Sequence, residues 1–596
     1  MKCWCILVVW AIAACVRPIH AQQALTIDPG AVQKRSEDTF QYYDLQKKLE
    51  DLQQQKSSGD APKSNQPATG ASAGKGSVFL LRRVVLTPSE LLSSQELAAV
   101  SAKYEGHQVS IADLNRLVED INHLYLSKGE VTARAALPAQ QITNGEVKIT
   151  LIEGRVGKIS IANRTRTRDS YILNSLHLEP GQLIRVEQLQ QNLSFLNNTS
   201  DLKIKAVLQP GAEFGTSNLD LQVEEPPNQS TVLFFDNAGR DGVGNERLGL
   251  VERYSSLLGL RDPLTVGVYG AAGTLDYSTS YELPVNRWGT RLGANFDDNR
   301  IQILSGSTQD YGVSGHSMSS SLKLSQPLVV NPRVHWTASM SADYIKSLLQ
   351  SQDTPLSNTL VRSLDFATSL DILDHNGLWS FSDTLTVGYH NLGGTRDFLK
   401  YDSSIVRMQN LKWGLTGLVR LTGQTNALNY LPTVEQFQVG GVATVRGYPE
   451  GRQIGDRGYT GTAELQFPAP FRRDRILGLP LRRRLREALF FDSGAVYDSY
   501  RTSGRPPGDD RYLTSVGGGL IVSLSRYFSG RFDWGVPLRN TQGIPAVRFH
   551  FYLQSSPPLA GLLRKFGQAS WGALSSSPDA GAVSSDGPEP DSTAVE

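Results

Sequence analysis

One arginine stands in a loop bracketed by glycines: Gly440-Gly441-Val442-Ala443-Thr444-Val445-Arg446-Gly447-Tyr448-Pro449-Glu450-Gly451. A charge costs desolvation and a glycine costs order, so a cation held in such a turn needs a reason. Further along, Phe490-Phe491-Asp492-Ser493-Gly494-Ala495-Val496 sets an aspartate in a strand-like run, which alone reads equally as a turn aspartate. Other chemistries are weaker. Gly70 to Gly76 imitates a phosphate loop, but it has one residue too few between its glycines and no Ser or Thr after Lys75. No catalytic triad and no metal-ligand constellation appears in the sequence. The residues therefore argue against an enzyme and imply no cofactor and no metal.

The elements that must position Arg446 and Asp492 begin with an export address. Residues 1–21 read as a secretory signal: Lys2, an apolar core from Ile6 to Ala14, and Ile19-His20-Ala21 as the cleavage site before Gln22. The apolar run is too short to span a bilayer. Ile12-Ala13-Ala14-Cys15 loosely matches a lipobox, so a lipoprotein signal stays open as a second reading. Cys3, Cys5 and Cys15 all lie in this segment, which excludes thiol catalysis and cysteine metal sites from the exported chain. Cleavage removes Lys2 and Arg17 and no acid, taking the formal charge from +1 to about −1. Nothing in that balance suggests nucleic acid. No later segment has the apolar length of a membrane helix, yet the second half is rich in alternating strands. The two readings are a secreted all-β protein and an outer-membrane barrel.

Within residues 22–56, a helix is predicted over 31–55, free of Gly and Pro. Its apolar residues are Phe40, Tyr43, Leu45, Leu49 and Leu52, too few for a core helix, so it suits either solvent or polar walls. Residues 57–77 are a Ser/Gly/Ala/Pro-rich linker spanning ~25 Å as a coil. Two β-α-α-β-β units follow, 78–153 and 154–227. In the first, Val78–Leu81 and Val84–Leu86 open the unit and a helix runs around Ser93–Glu105. Ser110 then caps a helix whose stripe is Ile111, Leu114, Leu117, Val118, Ile121, Leu124 and Tyr125, and Gly129 stops it. Strands are predicted at Val131–Leu137 and Val147–Leu151. Gly106, Ile111, Leu114, Val118 and Ile121 recur as Gly181, Val186, Leu189, Leu193 and Leu196, and Val147/Ile149/Leu151 as Leu219/Leu221/Val223. Each unit is a small α+β domain with a three-stranded sheet and exposed edges.

From 228 to 553 strands alternate bulky apolar with small or polar residues. Examples are Trp336/Ala338/Met340/Ala342, Trp379/Phe381/Leu385/Val387, Leu411/Trp413/Leu415 and Val547/Phe549/Phe551/Leu553. Lipid outside and water inside explain this directly, and the length corresponds to roughly 16 strands. Residues 554–596 lie beyond the last strand. Leu559 to Trp571 suits a short amphipathic segment, and the rest reads as a disordered tail.

The chain resembles the TpsB family, the two-partner secretion transporters that export filamentous hemagglutinins and hemolysins across the outer membrane. The resemblance rests on the export signal, the polar helix, the two repeats, the barrel, Val445-Arg446-Gly447-Tyr448 and Phe490-x-Asp492-x-Gly494. It implies a mainly β fold: a plug helix, two periplasmic POTRA domains and a 16-stranded transmembrane barrel. Val445–Tyr448 is then the tip of the sixth extracellular loop, folded into the lumen, with Arg446 paired to Asp492 of the barrel wall. In a water-filled lumen such a pair is worth ~1–2 kcal/mol. The resemblance further implies a large secreted TpsA-type partner (adhesin, hemolysin or toxin), insertion by the barrel-assembly machinery, outer-membrane lipid around the barrel, and export without a nucleotide. The chain departs from the family pattern by continuing 43 residues past Leu553. The alternatives are a barrel-insertion catalyst of the same superfamily, which would carry more repeats, and a porin-like channel.

Overall fold

The computed structural model describes residues 28–55, 78–163, 166–306, 309–352, 354–391, 393–469, 484–499, 512–525, 527–539 and 544–556. The signal, the linker and all but the first residues of the C-terminal extension lie outside them.

In the first repeat, helix α2 (Ser94–Ser101) is preceded by β1 (Phe79–Leu80) and β2 (Arg83–Leu86). After β3 (Gln108–Val109), helix α3 (Ile111–Ser127) starts at Ser110, whose hydroxyl accepts from the Asp113 N–H while Asp113 reaches back, a capping box. Leu114, Leu117, Ile121 and Tyr125 bury against Val147 and Ile149, whereas Ile111, the first member of the stripe, is solvent-exposed. The chain leaves α3 through Gly129 at φ 77°, and Glu130 N–H donates to the Tyr125 carbonyl at 3.0 Å. That wrap consumes residues 130–133, so the strand expected from Val131 is only β4 (Arg134–Ala136). β5 (Glu146–Ile152) lies at the centre of the sheet, parallel to β2 and antiparallel to β4.

The second repeat reproduces this topology with β6 (Arg155–Ala162), α4 (Asp169–Leu176), α5 (Val186–Thr199), β7 (Lys203–Pro210) and β8 (Thr216–Glu224). β8 is parallel to β6 and antiparallel to β7. The matched glycines Gly106 and Gly181 take φ of 81° and 83°, a region that penalises any side chain.

At the end of the first repeat, Glu153 accepts from the N–H of Glu90 at 2.9 Å, from the N–H of Leu91, from the Tyr125 hydroxyl at 3.0 Å and from Ser89. Burial pushes this carboxyl up, but the donors outweigh it, and it sits below its ordinary value. A depressed carboxyl stabilises the fold above its unfolded pKa of about 4.3 and loses that contribution as pH falls through the folded value. The protection of the amides at residues 89–92 of the full-length protein, taken relative to their intrinsic exchange rate at each pH, is therefore expected to fall below about pH 4.3. Protection that stays constant from pH 6 to 3 would remove Glu153 as the group that holds residues 89–92.

Sixteen antiparallel strands close a barrel, from β9 (Gln229–Asp236) to β26 (Arg548–Ser555), with β26 pairing back on β9 over Tyr552–Ser555. Small polar residues such as Asn299, Ser317 and Ser347 face in, and Trp336, Met340 and Phe366 face out. The alternation over 411–416 does not continue a strand. Lys412–Gly414 is a single turn with Trp413 at φ 60°, joining β18 (Phe398–Asn410) to β19 (Thr416–Ala427). Trp413 is 88% exposed, and a turn at the membrane rim favours the same aromatic residues as a lipid-facing strand. Among the described residues no helix is long and apolar enough to cross a membrane.

The polar helix α1 (Pro29–Gln55) runs inside the barrel. Asp28 caps it, accepting from the N–H of Gly30 at 2.9 Å and from the hydroxyl of Ser347 on the wall at 2.9 Å. Arg35, Ser36 and Thr39 are buried there although the helix has no apolar face, because the surrounding wall is polar. At the opposite end of the barrel, Arg261 joins the wall to the second repeat, its guanidinium on both oxygens of Asp201.

Candidate functional site

The glycine-bracketed loop leaves β19 and returns through β22 (Arg457–Pro468). Within it, β20 (Phe437–Val439) and β21 (Gln453–Gly455) form a two-stranded hairpin that lies in the lumen. Val445 and Tyr448 are buried with Val439, Val496 and Leu513. The Tyr448 hydroxyl donates to the Thr514 carbonyl at 3.0 Å. Close approach is what the glycines permit. Gly447 has φ 92°, and a Cβ there would lie 2.9 Å from the carbonyl carbon of Gly535. Gly494 sits under Val439, where a Cβ would stand 2.8 Å from its Cγ1. We expect Gly447→Ala to lift the tip off the wall and expose the loop to protease in intact membranes. An unchanged digestion pattern would show the seat is not tight.

Arg446 is 2% exposed. Asp492, on β23 (Leu485–Tyr497), takes it bidentately: Nε to Oδ2 at 2.8 Å and Nη2 to Oδ1 at 2.9 Å, with the Arg446 N–H adding a third bond at 3.1 Å. The guanidinium stacks over the Phe490 ring, 3.4 Å from its centroid. Arg446, Asp492, Phe490, Gly494 and the Val445-Gly447-Tyr448 segment therefore meet at one place.

The pair is not the isolated, water-screened contact expected from sequence. Arg446 Nη1 also donates to Glu464 of β22 at 2.8 Å and lies 3.6 Å from Asp533 of β25 (Phe528–Pro537). Arg531 closes the network, to Glu464 at 2.7 Å and to Asp533 at 2.8 Å. Two cations and three carboxylates are buried together, so the relevant comparison is a buried network. Removing one partner of such a network costs ~3–5 kcal/mol. Sequence reading missed Glu464, Arg531 and Asp533. The available signal was their inward parity on strands otherwise lined by Thr, Gln and Gly, together with their charge. What was missing was the knowledge that three strands face one loop tip.

The helix is tied to the same loop. Arg35 Nε donates to Glu450 at 2.7 Å, and Arg35 Nη2 donates to the Gly440 carbonyl at 2.6 Å. Glu450 also accepts from the Val442 N–H at 2.7 Å. Gln438 of β20 donates to the Ala31 carbonyl at 2.8 Å. Against the wall, Phe40 packs edge-on to Phe234 and Tyr269, and Tyr43 stacks on Tyr552 at 3.7 Å between centroids. The sequence pointed to neither Arg35 nor Glu450.

A polar helix filling a 16-stranded barrel, with a buried loop arginine on a wall aspartate, narrows the families that fit. Residues 79–154 match the model of the ShlB-type POTRA domain, and residues 215–521 match that of the haemolysin secretion/activation protein ShlB/FhaC/HecB. The chain belongs to the ShlB/FhaC/HecB family. It is an outer-membrane transporter of the two-partner secretion type, with its POTRA repeats on the periplasmic side. Among relatives, it is 24% identical to the outer membrane transporter CdiB of Dickeya dadantii over 79% of this chain and 85% of that protein. It is 26% identical to the hemolysin transporter protein ShlB of Serratia marcescens over 66% and 73%. The solved CdiB from Escherichia coli superposes with a TM-score of 0.62 at 19% identity, covering 88% of this chain and 99% of that one. That likeness shows the shared fold. The transporter's first barrel strand, β9, runs away from the POTRA side and the strands then alternate in direction, so the loop carrying Arg446 is the sixth on the extracellular side.

Proposed function

We propose that this transporter exports a large TpsA-type protein, taken up unfolded from the periplasm by its POTRA repeats and passed through the barrel without nucleotide hydrolysis. The observation that carries the reading is the way α1 occupies the lumen. Among the described residues it is held by polar and aromatic contacts and by the buried ion pair of Arg35 with Glu450, rather than by an apolar face. Such a helix can exchange its partners for water or for a passing chain at modest cost, unlike a core helix. The open edges of β2, β4, β6 and β7 offer backbone donors and acceptors to an extended partner strand. Arg446 and Asp492 anchor the loop against which the partner moves, and folding outside biases the direction. No metal, cofactor or nucleic acid enters the scheme.

The test is a photo-crosslinker placed on β4 or β7 in cells that express the transporter with a TpsA-type protein. Adducts to the partner's N-terminal domain are expected when export is stalled. Secretion that continues unchanged with the edges at β2, β4, β6 and β7 all blocked by proline substitution would overturn the uptake step.

A further inference from the structure

The outer wall of the barrel carries a second charge cluster that export does not use. On β13 (Arg291–Gln302), β14 (Val313–Val330), β15 (Val334–Ser351) and β16 (Thr354–Leu373), the outward positions first form an apolar band: Phe296, Leu322, Leu324, Met340, Phe366. Toward the extracellular ends the same face changes to Arg300, His316, Tyr344, Lys346 and Arg362.

The register makes these one patch. Arg300 lies opposite His316, Met318 opposite Lys346, and Tyr344 opposite Arg362. The Arg362 guanidinium stands over the Tyr344 ring, 5.6 Å from its centroid. It also reaches the extracellular loop between β17 (Gly377–Gly388) and β18 at Gly393, where a Cβ would meet its Nη1 at 2.9 Å. Among the described residues the carboxylate in the patch is Asp298, which accepts from Arg300 Nε at 3.2 Å and lies 2.6 Å from His316 Nε2. Lys346 has Met318 and Leu360 as its cross-strand neighbours. Arg300, His316, Lys346 and Arg362 are all exposed.

A cation turned toward lipid is costly within the hydrocarbon and favourable only at headgroup level. Here the cations sit above the apolar band, beside an aromatic ring, on the outward face. We infer that this patch binds the phosphate groups of an outer-leaflet glycolipid, whose acyl chains lie along the apolar band below. Arginine suits a phosphate oxygen pair, lysine adds a point charge, and the Arg362–Tyr344 stack pre-orients one fork. Asp298 orients Arg300 and His316 without cancelling the patch.

The experiment is a native mass-spectrometric titration of the full-length transporter in detergent. The probes are bis-phosphorylated lipid A, its dephosphorylated form and inorganic phosphate. The phosphorylated lipid is expected to bind, the dephosphorylated lipid to bind far more weakly, and inorganic phosphate not to form a stable adduct. At about 1 kcal/mol for each basic residue at a charged membrane surface, the triple variant Arg300→Gln/Lys346→Gln/Arg362→Gln should lose about a hundredfold in affinity. The charge-retaining Arg300→Lys/Arg362→Lys variant should bind more tightly than the triple variant and less tightly than the unaltered protein, because it keeps the charge and loses the forks, and it guards against a folding defect. Arg407→Gln at the opposite rim should change nothing. Equal binding of the dephosphorylated lipid, equal occupancy by inorganic phosphate, or an unweakened triple variant whose barrel still migrates as folded on unheated gels would overturn the assignment.

Discussion

Arg446→Ala is expected to abolish secretion of the partner while leaving a folded, heat-modifiable barrel in the outer membrane. The substitution strips Asp492 of two side-chain donors and Glu464 of one, in a site where water does not replace them. Leaving buried carboxylates short of their cation costs ~3–5 kcal/mol, enough to unseat the loop tip but small beside the hydrogen bonding of sixteen closed strands. Arg531 remains on Glu464 and Asp533, so the wall keeps part of its network and Asp492 takes the loss. Arg446→Lys separates charge from geometry. A single ammonium cannot hold both Asp492 oxygens and Glu464 as the guanidinium fork does, so secretion should stay low even with the charge kept. Secretion at the normal rate by either variant would remove Arg446 from the export mechanism. Loss of the heat-modifiable species would make the network one of assembly instead.

Deleting residues 29–55 is expected to turn a nearly closed channel into a steadily conducting one in planar bilayers. Nothing else described occupies the space that α1 fills, and the loop hairpin lies to one side, against β23 and β24 (Tyr512–Ser525). A graded version isolates the ion pair. Arg35→Ala removes the donor to Glu450 and to the Gly440 carbonyl but leaves Phe40 and Tyr43 on the wall. A buried charge-assisted bond of this kind is worth about 1.5–3 kcal/mol, so open events should become about ten- to a hundredfold more frequent. Conductance unchanged in the deletion would mean that the loop, not the helix, closes the pore. A deletion effect with no Arg35→Ala effect would place the hold on the aromatic contacts.

The sequence by itself determined the class of fold and the two ends of its central contact. Alternation over the second half requires lipid on one side and water on the other. The repeat at Gly106 and Gly181 requires two like units, and the motifs around Arg446 and Asp492 point to a family in which they meet. These are local signals: period, spacing and residue type within a few positions. Alternation failed at Trp413 because a rim turn and a lipid-facing strand select the same residues, and only the backbone distinguishes them.

What the tertiary structure decided is everything that depends on closure. Bending sixteen strands into a ring brings Glu464, Asp492 and Asp533 from three strands onto one loop tip. It also sets Arg35 against Glu450 across 415 positions of chain. No period in the sequence relates those residues. Closure further removes the water that would have screened them, turning an expected weak surface pair into a buried network whose disruption is costly.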